Sequence, residues 1–171
     1  VILAGLVLKL TGLSDAMRGS VALIGWTMLG FGGLLWWCDK TGTAQKTVQN
    51  WSLRHALILG LWQTLALIPG TSRSGICITG ARRLGYGREG AAKLSMLMSI
   101  PTIIASGVLL SAEMATTADY AIVKDAALAA VFAFITALGA LVLMMRLLKT
   151  VSFTPYVIYR VVLGLGLLVW A

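Results

Sequence analysis

Long apolar segments separated by short polar ones dominate the pattern of this chain. Residues 20–37, 91–112, 126–145 and 153–171 are each almost continuously apolar. Each is close to the roughly 20 helical residues that cross a bilayer core of about 30 Å. The alternation typical of membrane-spanning strands is absent from the sequence. The pattern therefore predicts an all-α polytopic membrane protein with four transmembrane helices.

Two shorter apolar segments flank a turn sequence. Residues 56–68 and 76–84 lie on either side of Pro-Gly-Thr-Ser-Arg-Ser-Gly at 69–75. The first segment would rise about 20 Å as a helix, which is too short to cross a bilayer. Two half-length helices joined by a Gly/Pro turn predict a re-entrant hairpin or a broken helix over residues 55–85.

The remaining segments are shorter. Residues 39–52, 113–125 and 146–152 are polar and are predicted to be loops. Pro101 predicts a kink in the long apolar segment 91–112. Residues 1–10 are apolar but too short to span a membrane. We interpret them as the end of a helix that begins upstream, so the chain is expected to be a C-terminal part of a longer protein.

Composition supports the membrane class. Hydrophobic residues make up 58% of the 171 residues, the mean hydropathy is +0.90, and 12% of residues are charged. A soluble domain carries about 25% charged residues. Residues 1–171 are therefore interpreted as a single membrane domain, which we expect to lack its N-terminal repeat.

The net charge of +8 predicts an orientation. Three basic residues (Lys9, Arg18 and Lys124) are predicted on one side of the membrane. Nine are predicted on the other: Lys40, Lys46, Arg54, Arg82, Arg83, Arg88, Lys93, Arg146 and Lys149. The positive-inside rule places the larger group in the cytoplasm. No basic patch with interleaved aromatic residues favours nucleic-acid binding.

The turn at 69–75 carries the candidate chemistry. An arginine near the middle of a bilayer costs roughly 2.5–3.5 kcal/mol on insertion scales, so it normally faces a site or a partner. Glycines allow close approach of a ligand, and hydroxyls, a guanidinium and a helix N-terminus all favour an anion. The residues are Gly70, Thr71, Ser72, Arg73, Ser74 and Gly75. The alternative is a hinge whose hydroxyls only cap the turn and whose arginine pairs with a carbonyl.

Catalytic partners for this turn are missing from the sequence pattern. No Asp or Glu lies within a predicted span, and Ser72 is a candidate nucleophile without a base nearby in sequence. Gln63 and Thr64 are expected to face the same cavity, and His55 to lie near the membrane surface. The chain therefore reads as the anion-binding half of an active site. Arg160 is interpreted as snorkelling to the surface, with a second positive group lining the site as the alternative.

Two other residue types are interpreted structurally. Cys38 and Cys77 have no metal-ligand spacing and are expected to pack in apolar surroundings. Glycines in two helices are expected to allow close helix packing. These glycines are Gly30, Gly32, Gly33, Gly164 and Gly166.

The sequence Leu-Ala-Leu-Ile-Pro-Gly-Thr-Ser-Arg-Ser-Gly at 65–75 resembles the second signature of the undecaprenyl-diphosphate phosphatase family, known also for bacitracin resistance. Residues 88–101 and 152–160 are similar to the family's following helix and its C-terminal helix. The resemblance implies a bacterial inner-membrane enzyme that dephosphorylates undecaprenyl diphosphate to recycle the carrier lipid of peptidoglycan. It also implies two inverted repeats, each with a re-entrant hairpin, of which this chain would be the second.

The resemblance also implies roles for residues. Arg73 and Ser72 would be catalytic. The candidate substrate-binding residues are Gly70, Thr71, Ser74, Gly75, Thr79 and Gln63. Many family members carry Glu where Lys93 stands, so no function is placed on that position.

The family's first signature, an acidic pair followed by Ser-Ser-Thr-Gly-His, has no counterpart in the sequence. A divalent cation, Mg or Ca, would then be held by ligands outside this chain, and the chain alone is expected to be inactive. The expected partners are a polyprenyl diphosphate lipid and the bilayer, with a homodimer left open. A transporter or flippase for a phosphorylated lipid, using the same anion site, is the alternative function.

Overall fold

A computed structural model describes residues 1–12, 17–115 and 120–171, and within these ranges the protein is helical with no strand. We number the helices α1 (Ile2–Leu10), α2 (Val21–Thr41), α3 (Leu53–Thr64), α4 (Arg73–Arg83), α5 (Arg88–Ala115), α6 (Tyr120–Leu147) and α7 (Thr154–Trp170). Short 3-10 helices occupy Val48–Asn50 and Leu65–Leu67. The predicted all-α class is confirmed.

Three helices are long and apolar enough to cross a membrane. They correspond to Val21–Thr41, Arg88–Leu109 and Asp125–Leu147. This confirms an all-α polytopic membrane protein. The predicted fourth span forms α7, an apolar helix of 17 residues whose length of about 26 Å is shorter than the other three.

The observed loops are shorter than the sequence predicted. The loop prediction for 39–52 was wrong at its start, because α2 continues to Thr41, and the N–H of Gly42 then donates to the carbonyl of Cys38 at 3.0 Å. The loop prediction for 146–152 was wrong in the same way, since α6 runs to Leu147. Within 113–125, α5 reaches Ala115 and α6 begins at Tyr120, while residues 116–119 lie outside the described ranges.

Helices α3 and α4 pack on each other and are joined by the second 3-10 helix and a turn. The contact is close at Gly80, where a Cβ atom would lie 2.8 Å from the ring of Trp62 and 2.9 Å from Leu59. Only glycine allows this approach without displacing a neighbour. The arrangement fits the hairpin expected over 55–85, and its re-entry into the bilayer stays a prediction.

Helix α4 lies at the centre of the described structure. It packs on α2, α3 and α5, and it is buried continuously from Gly75 to Arg82. Cys77 on α4 and Cys38 on α2 are buried free thiols, so their expected packing role is confirmed. Near the end of α4, the buried Tyr86 places its hydroxyl 2.6 Å from Nδ1 of His55.

Helices α2 and α7 make the most extensive helix pair. Their closest approach is at Gly25, where a Cβ atom would lie 2.7 Å from Leu168 and 3.0 Å from the Gly164 carbonyl oxygen. The expectation for Gly164 is therefore confirmed, and Gly25 was missed. The prediction of close packing was wrong for Gly30, Gly33 and Gly166, because a Cβ atom at these positions would have no other part of the described chain within 4 Å. At Gly32 a Cβ atom would make ordinary van der Waals contacts with Arg160.

Candidate anion-binding site

The turn before α4 has an unusual backbone. Gly70 has φ +85°, a conformation that favours glycine, and Ser72 adopts φ +67° although it is not glycine. Ser72 is the N-cap of α4, and its Oγ accepts a hydrogen bond from the N–H of Gly75 at 3.3 Å. The turn therefore ends with a side chain that fixes the start of the helix.

Three helices hold this turn through its carbonyl oxygens. From α2, Thr27 Oγ1 donates to the carbonyl of Pro69 at 2.6 Å, and from α7, Arg160 Nη2 donates to that of Gly70 at 2.6 Å. From α5, Ser95 Oγ donates to the carbonyl of Ser74 at 3.1 Å. Because these donors come from distant parts of the chain, the turn is fixed by the tertiary fold and not by its own sequence alone.

Arg160 does not snorkel to the surface, and that interpretation was wrong. Arg160 is 4% exposed, and its guanidinium lies 5.8 Å from the centre of the Tyr156 ring. A guanidinium removed from water needs acceptors, and the carbonyl of Gly70 is one. The alternative interpretation, that Arg160 places a positive group at the site, fits the structure. Its guanidinium donates to a backbone carbonyl of the turn, so it holds the turn in place.

Arg73 is the exposed cation of the turn. It is the first residue of α4, and its Nη1 donates to Thr102 Oγ1 on α5 at 3.4 Å. Its other guanidinium N–H groups have no hydrogen-bond partner among the described residues. The long, single contact leaves most of this planar donor set free to bind an oxyanion.

The hydroxyls at the turn form a connected group. Ser72 Oγ lies 3.4 Å from Ser74 Oγ and 3.0 Å from the hydroxyl of Tyr156 on α7. Thr71 is 1% exposed, and within the described ranges its Oγ1 has no hydrogen-bond partner. Sequence reasoning missed Tyr156, although its position one helical turn before Arg160 places both on one face of α7.

Gln63 and Thr79, the two candidate residues outside the turn, are placed differently. Gln63 is buried, and its Nε2 donates to the Met98 carbonyl at 3.4 Å and to Thr102 Oγ1 at 3.3 Å. It therefore shares a hydroxyl partner with Arg73. Thr79 is buried inside α4, where its Oγ1 donates to the Gly75 carbonyl at 2.8 Å. The structure thus brings Gln63 next to the Arg73 contact, while the Thr79 hydroxyl is used within its own helix.

The chemistry of this set suits an anion. Hydroxyls, a guanidinium and the free N–H groups of a helix N-terminus all donate hydrogen bonds to negatively charged oxygen. A divalent cation does not fit these residues, because a guanidinium repels it and it prefers carboxylate oxygens. Among the described residues, no group of three or more His, Cys, Asp or Glu side chains could hold a metal ion.

Comparisons with known proteins identify the family of this chain. A family model described as bacitracin resistance protein BacA matches residues 1–166. The chain is 66% identical over its whole length to an undecaprenyl-diphosphatase of Roseobacter denitrificans, and 68% identical over its whole length to one of Dinoroseobacter shibae, and it spans 64% of each relative. A relative of the same name from Chromohalobacter salexigens is 42% identical over 90% of this chain and 58% of its own length.

Proposed function

This chain belongs to the family of the bacitracin resistance protein BacA, and from that membership we propose that it forms part of an undecaprenyl-diphosphatase. The proposed reaction hydrolyses the phosphoanhydride of undecaprenyl diphosphate and yields undecaprenyl phosphate, which recycles the carrier lipid for cell-wall synthesis. The proposed location is the bacterial inner membrane. Because the chain spans 64% of the relatives that carry this name, the activity is proposed for the complete gene product.

The observation that carries the proposal is the exposed guanidinium of Arg73 at the start of α4. Negative charge builds on the phosphoryl oxygens when a phosphoanhydride bond breaks, and preorganised donors stabilise it without reorganising. The guanidinium of Arg73 supplies a planar, forked set of N–H donors, and the first N–H groups of α4 supply further donors. The contacts from α2, α5 and α7 keep these donors in place.

The hydroxyls and glycines are proposed to shape the diphosphate pocket. Ser72 is proposed as the second catalytic residue, with its Oγ held between the Gly75 N–H and the Tyr156 hydroxyl. Its hydrogen-bond partners among the described residues include no general base, so we place it in direct contact with a phosphate oxygen. The residues proposed to surround the diphosphate are Gly70, Thr71, Ser74, Gly75 and, through Thr102, Gln63.

A divalent cation and a second copy of the protein are further parts of the proposal. Mg or Ca would be held by ligands other than the residues of this turn. The polyprenyl chain of the substrate would lie in the apolar part of the bilayer. Light scattering of the purified protein in detergent would distinguish a homodimer from a monomer.

The test is phosphate release from undecaprenyl diphosphate by the complete gene product in detergent with Mg²⁺ or Ca²⁺. We expect Arg73→Ala to lower kcat about a hundredfold or more, the usual cost of removing a preorganised oxyanion donor. Arg73→Lys keeps the charge but loses the fork, so an intermediate rate is expected. Arg83→Ala, at the exposed far end of the same helix, is the matched control and should keep its activity.

Two results would contradict the proposal. Equal rates for Arg73→Ala and Arg83→Ala would remove Arg73 from the chemistry. Tight binding of the lipid without phosphate release would favour the transport alternative, in which the same turn binds a phosphorylated lipid without cleaving it.

A further inference from the structure

A second cationic region lies at the opposite end of α4. A cleft of about 700 Å³ opens between the end of α2, the segment around Lys46, the start of α5 and the end of α6. Its acidic lining residues are Asp39 and Glu89. Its basic lining residues are Lys40, Lys46, Arg82, Arg88, Lys93 and Lys149. Six positive and two negative groups give the cleft a formal charge of +4.

The floor of the cleft contains a buried carboxylate shared by two arginines. Asp39 accepts two hydrogen bonds from Arg88, from Nε at 2.8 Å and from Nη2 at 3.0 Å. Nε of Arg82 lies 3.2 Å from the same carboxylate but is not aligned with it, and has no hydrogen-bond partner in the described part of the chain. One carboxylate facing two guanidinium groups leaves a positive charge that the floor does not neutralise.

Arg82 is held rigidly. Its Nη1 donates to the Tyr86 carbonyl at 2.8 Å, and its Nη2 donates to the carbonyls of Asp39 at 2.8 Å and Gly42 at 3.2 Å. The residue is 3% exposed. Carbonyl oxygens orient the guanidinium without cancelling its charge, so a fixed positive charge lies beneath the cleft and its field favours an anion that enters.

The wall of the cleft adds backbone donors. The cleft is lined by Gly87, which precedes α5 and whose N–H donates to the Lys46 carbonyl at 3.1 Å, and by Gly90 in the first turn of α5. A Cβ atom at Gly87 would meet no other part of the described chain within 4 Å. The first N–H groups of a helix have no partner within the helix and favour negative charge. Small residues at this helix start therefore leave the backbone accessible from the cleft.

We propose that this cleft binds a phosphate group, carried either by inorganic phosphate or by the headgroup of an anionic membrane lipid. It is distinct from the turn at Arg73, because Arg82 lies nine residues further along α4, about 14 Å. It is therefore independent of the proposed activity.

A simpler explanation of the lysines is that they only set membrane topology. Topology signals need positive charge near the membrane surface and no particular geometry. They do not require an arginine that is 3% exposed and shares one buried carboxylate with another arginine. An anion-binding site would use the positive charge that this arrangement fixes at the cleft.

The first test measures the affinity for inorganic phosphate by isothermal titration calorimetry, with the complete gene product in detergent at low ionic strength. Every protein carries Arg73→Ala, so that the turn does not contribute. We expect Lys46→Gln with Lys93→Gln to weaken the affinity about tenfold or more, since each basic group near an anion contributes appreciably. Arg54→Gln with Arg146→Gln removes the same charge at exposed positions outside the cleft and should leave the affinity unchanged.

The second test counts bound lipids. The same proteins, in nanodiscs of phosphatidylcholine with and without phosphatidylglycerol, are analysed by native mass spectrometry. Loss of retained phosphatidylglycerol in the cleft variant but not in its control assigns the phosphate to a lipid headgroup. Loss of binding in the calorimetric titration alone assigns it to the free ion.

The result that would overturn the proposal is equal binding by the cleft variant and its control in both tests, or no binding by either. Lys46→Arg with Lys93→Arg guards against a folding artefact, because it keeps the charge and should keep the affinity. Failure of this proposal leaves the phosphatase assay unaffected, since that assay depends on Arg73.

Discussion

Helices α4 and α6 are opposites in composition and in burial. α4 carries three arginines, two hydroxyl residues and two glycines, yet it is buried from Gly75 to Arg82. α6 is far more apolar, yet none of the stretch Asp125–Leu147 is buried against the described protein. In a membrane, apolar side chains lose nothing by facing lipid, whereas polar groups need protein partners. In these two helices, burial therefore follows the need of polar groups for partners and not hydrophobicity.

The contacts show how each helix meets this requirement. On α4, Gly80 lets α3 approach closely and Arg82 pairs with a carboxylate and backbone carbonyls. On α6, Phe132, Phe134 and Leu143 are 62%, 64% and 59% exposed. Paired substitutions in the two environments test whether this difference governs stability.

The largest effect is expected at Asp39. Asp39→Asn leaves Arg82 buried without its counter-charge, and breaking a buried ion pair from one side costs about 3–5 kcal/mol. Asp125→Asn, at an exposed position of α6, should change the free energy of unfolding by less than about 0.5 kcal/mol. Unfolding in mixed micelles measures both. Equal effects would show that the buried network does not stabilise the fold.

A smaller effect is expected for glycine substitutions. In Gly80→Ala the new methyl group would lie 2.8 Å from the Trp62 ring, and overpacking of this kind costs about 1–3 kcal/mol. Gly139→Ala, in α6, meets no described atom within 4 Å and should raise stability by up to about 1 kcal/mol through helix propensity. Melting temperatures in detergent should move in opposite directions, and a shared direction would contradict the comparison.

The smallest effect concerns pH at the end of α4. Burial raises the pKa of Tyr86, whose hydroxyl donates to the Asn50 carbonyl at 3.1 Å. The protonated form is thus favoured in the folded state. Its contribution is complete below the unfolded pKa of about 10 and is lost as the pH rises through the folded value.

Tyr86→Phe should therefore flatten the decline of melting temperature above about pH 10. At neutral pH it should cost about 0.5–1.5 kcal/mol for each lost hydrogen bond, with the Asn50 carbonyl and with His55 Nδ1. Tyr159→Phe, at a position 62% exposed on α7, should leave the decline unchanged. If both variants keep the slope of the wild type, Tyr86 is not its source.

The local features of this fold were predictable from sequence. The existence and order of α2, α5 and α6 and the turn at 69–75 follow from apolar run length and Gly/Pro placement, which are properties of neighbouring residues. Their ends do not, because α5 and α6 extend beyond the predicted spans 91–112 and 126–145. Long-range partners were not predictable. Arg160 bonds to a carbonyl 90 residues away, and Arg88 to a carboxylate 49 residues away. Asp39 was assigned to a loop for the same reason, because its partners stand on other helices.

The candidate site likewise contains residues that the sequence could identify and residues that it could not. The hydroxyls and Arg73 are contiguous, so a motif identifies them. Thr27, Tyr156 and Arg160, which fix their geometry, come from helices that the sequence separates from the turn. Only the tertiary fold places these residues around the turn.

The direction of α4 has a consequence for how a ligand and the fold depend on each other. Arg82 and Arg83 lie in its last turn, where a cation is favourable, but Arg73 lies at its start, where a cation opposes the helix by about 0.3–1 kcal/mol. The start of α4 is thus locally frustrated, and a bound phosphate reverses the sign of that interaction. If phosphate binds there, binding and folding are linked, because the bound anion stabilises the first turn of α4.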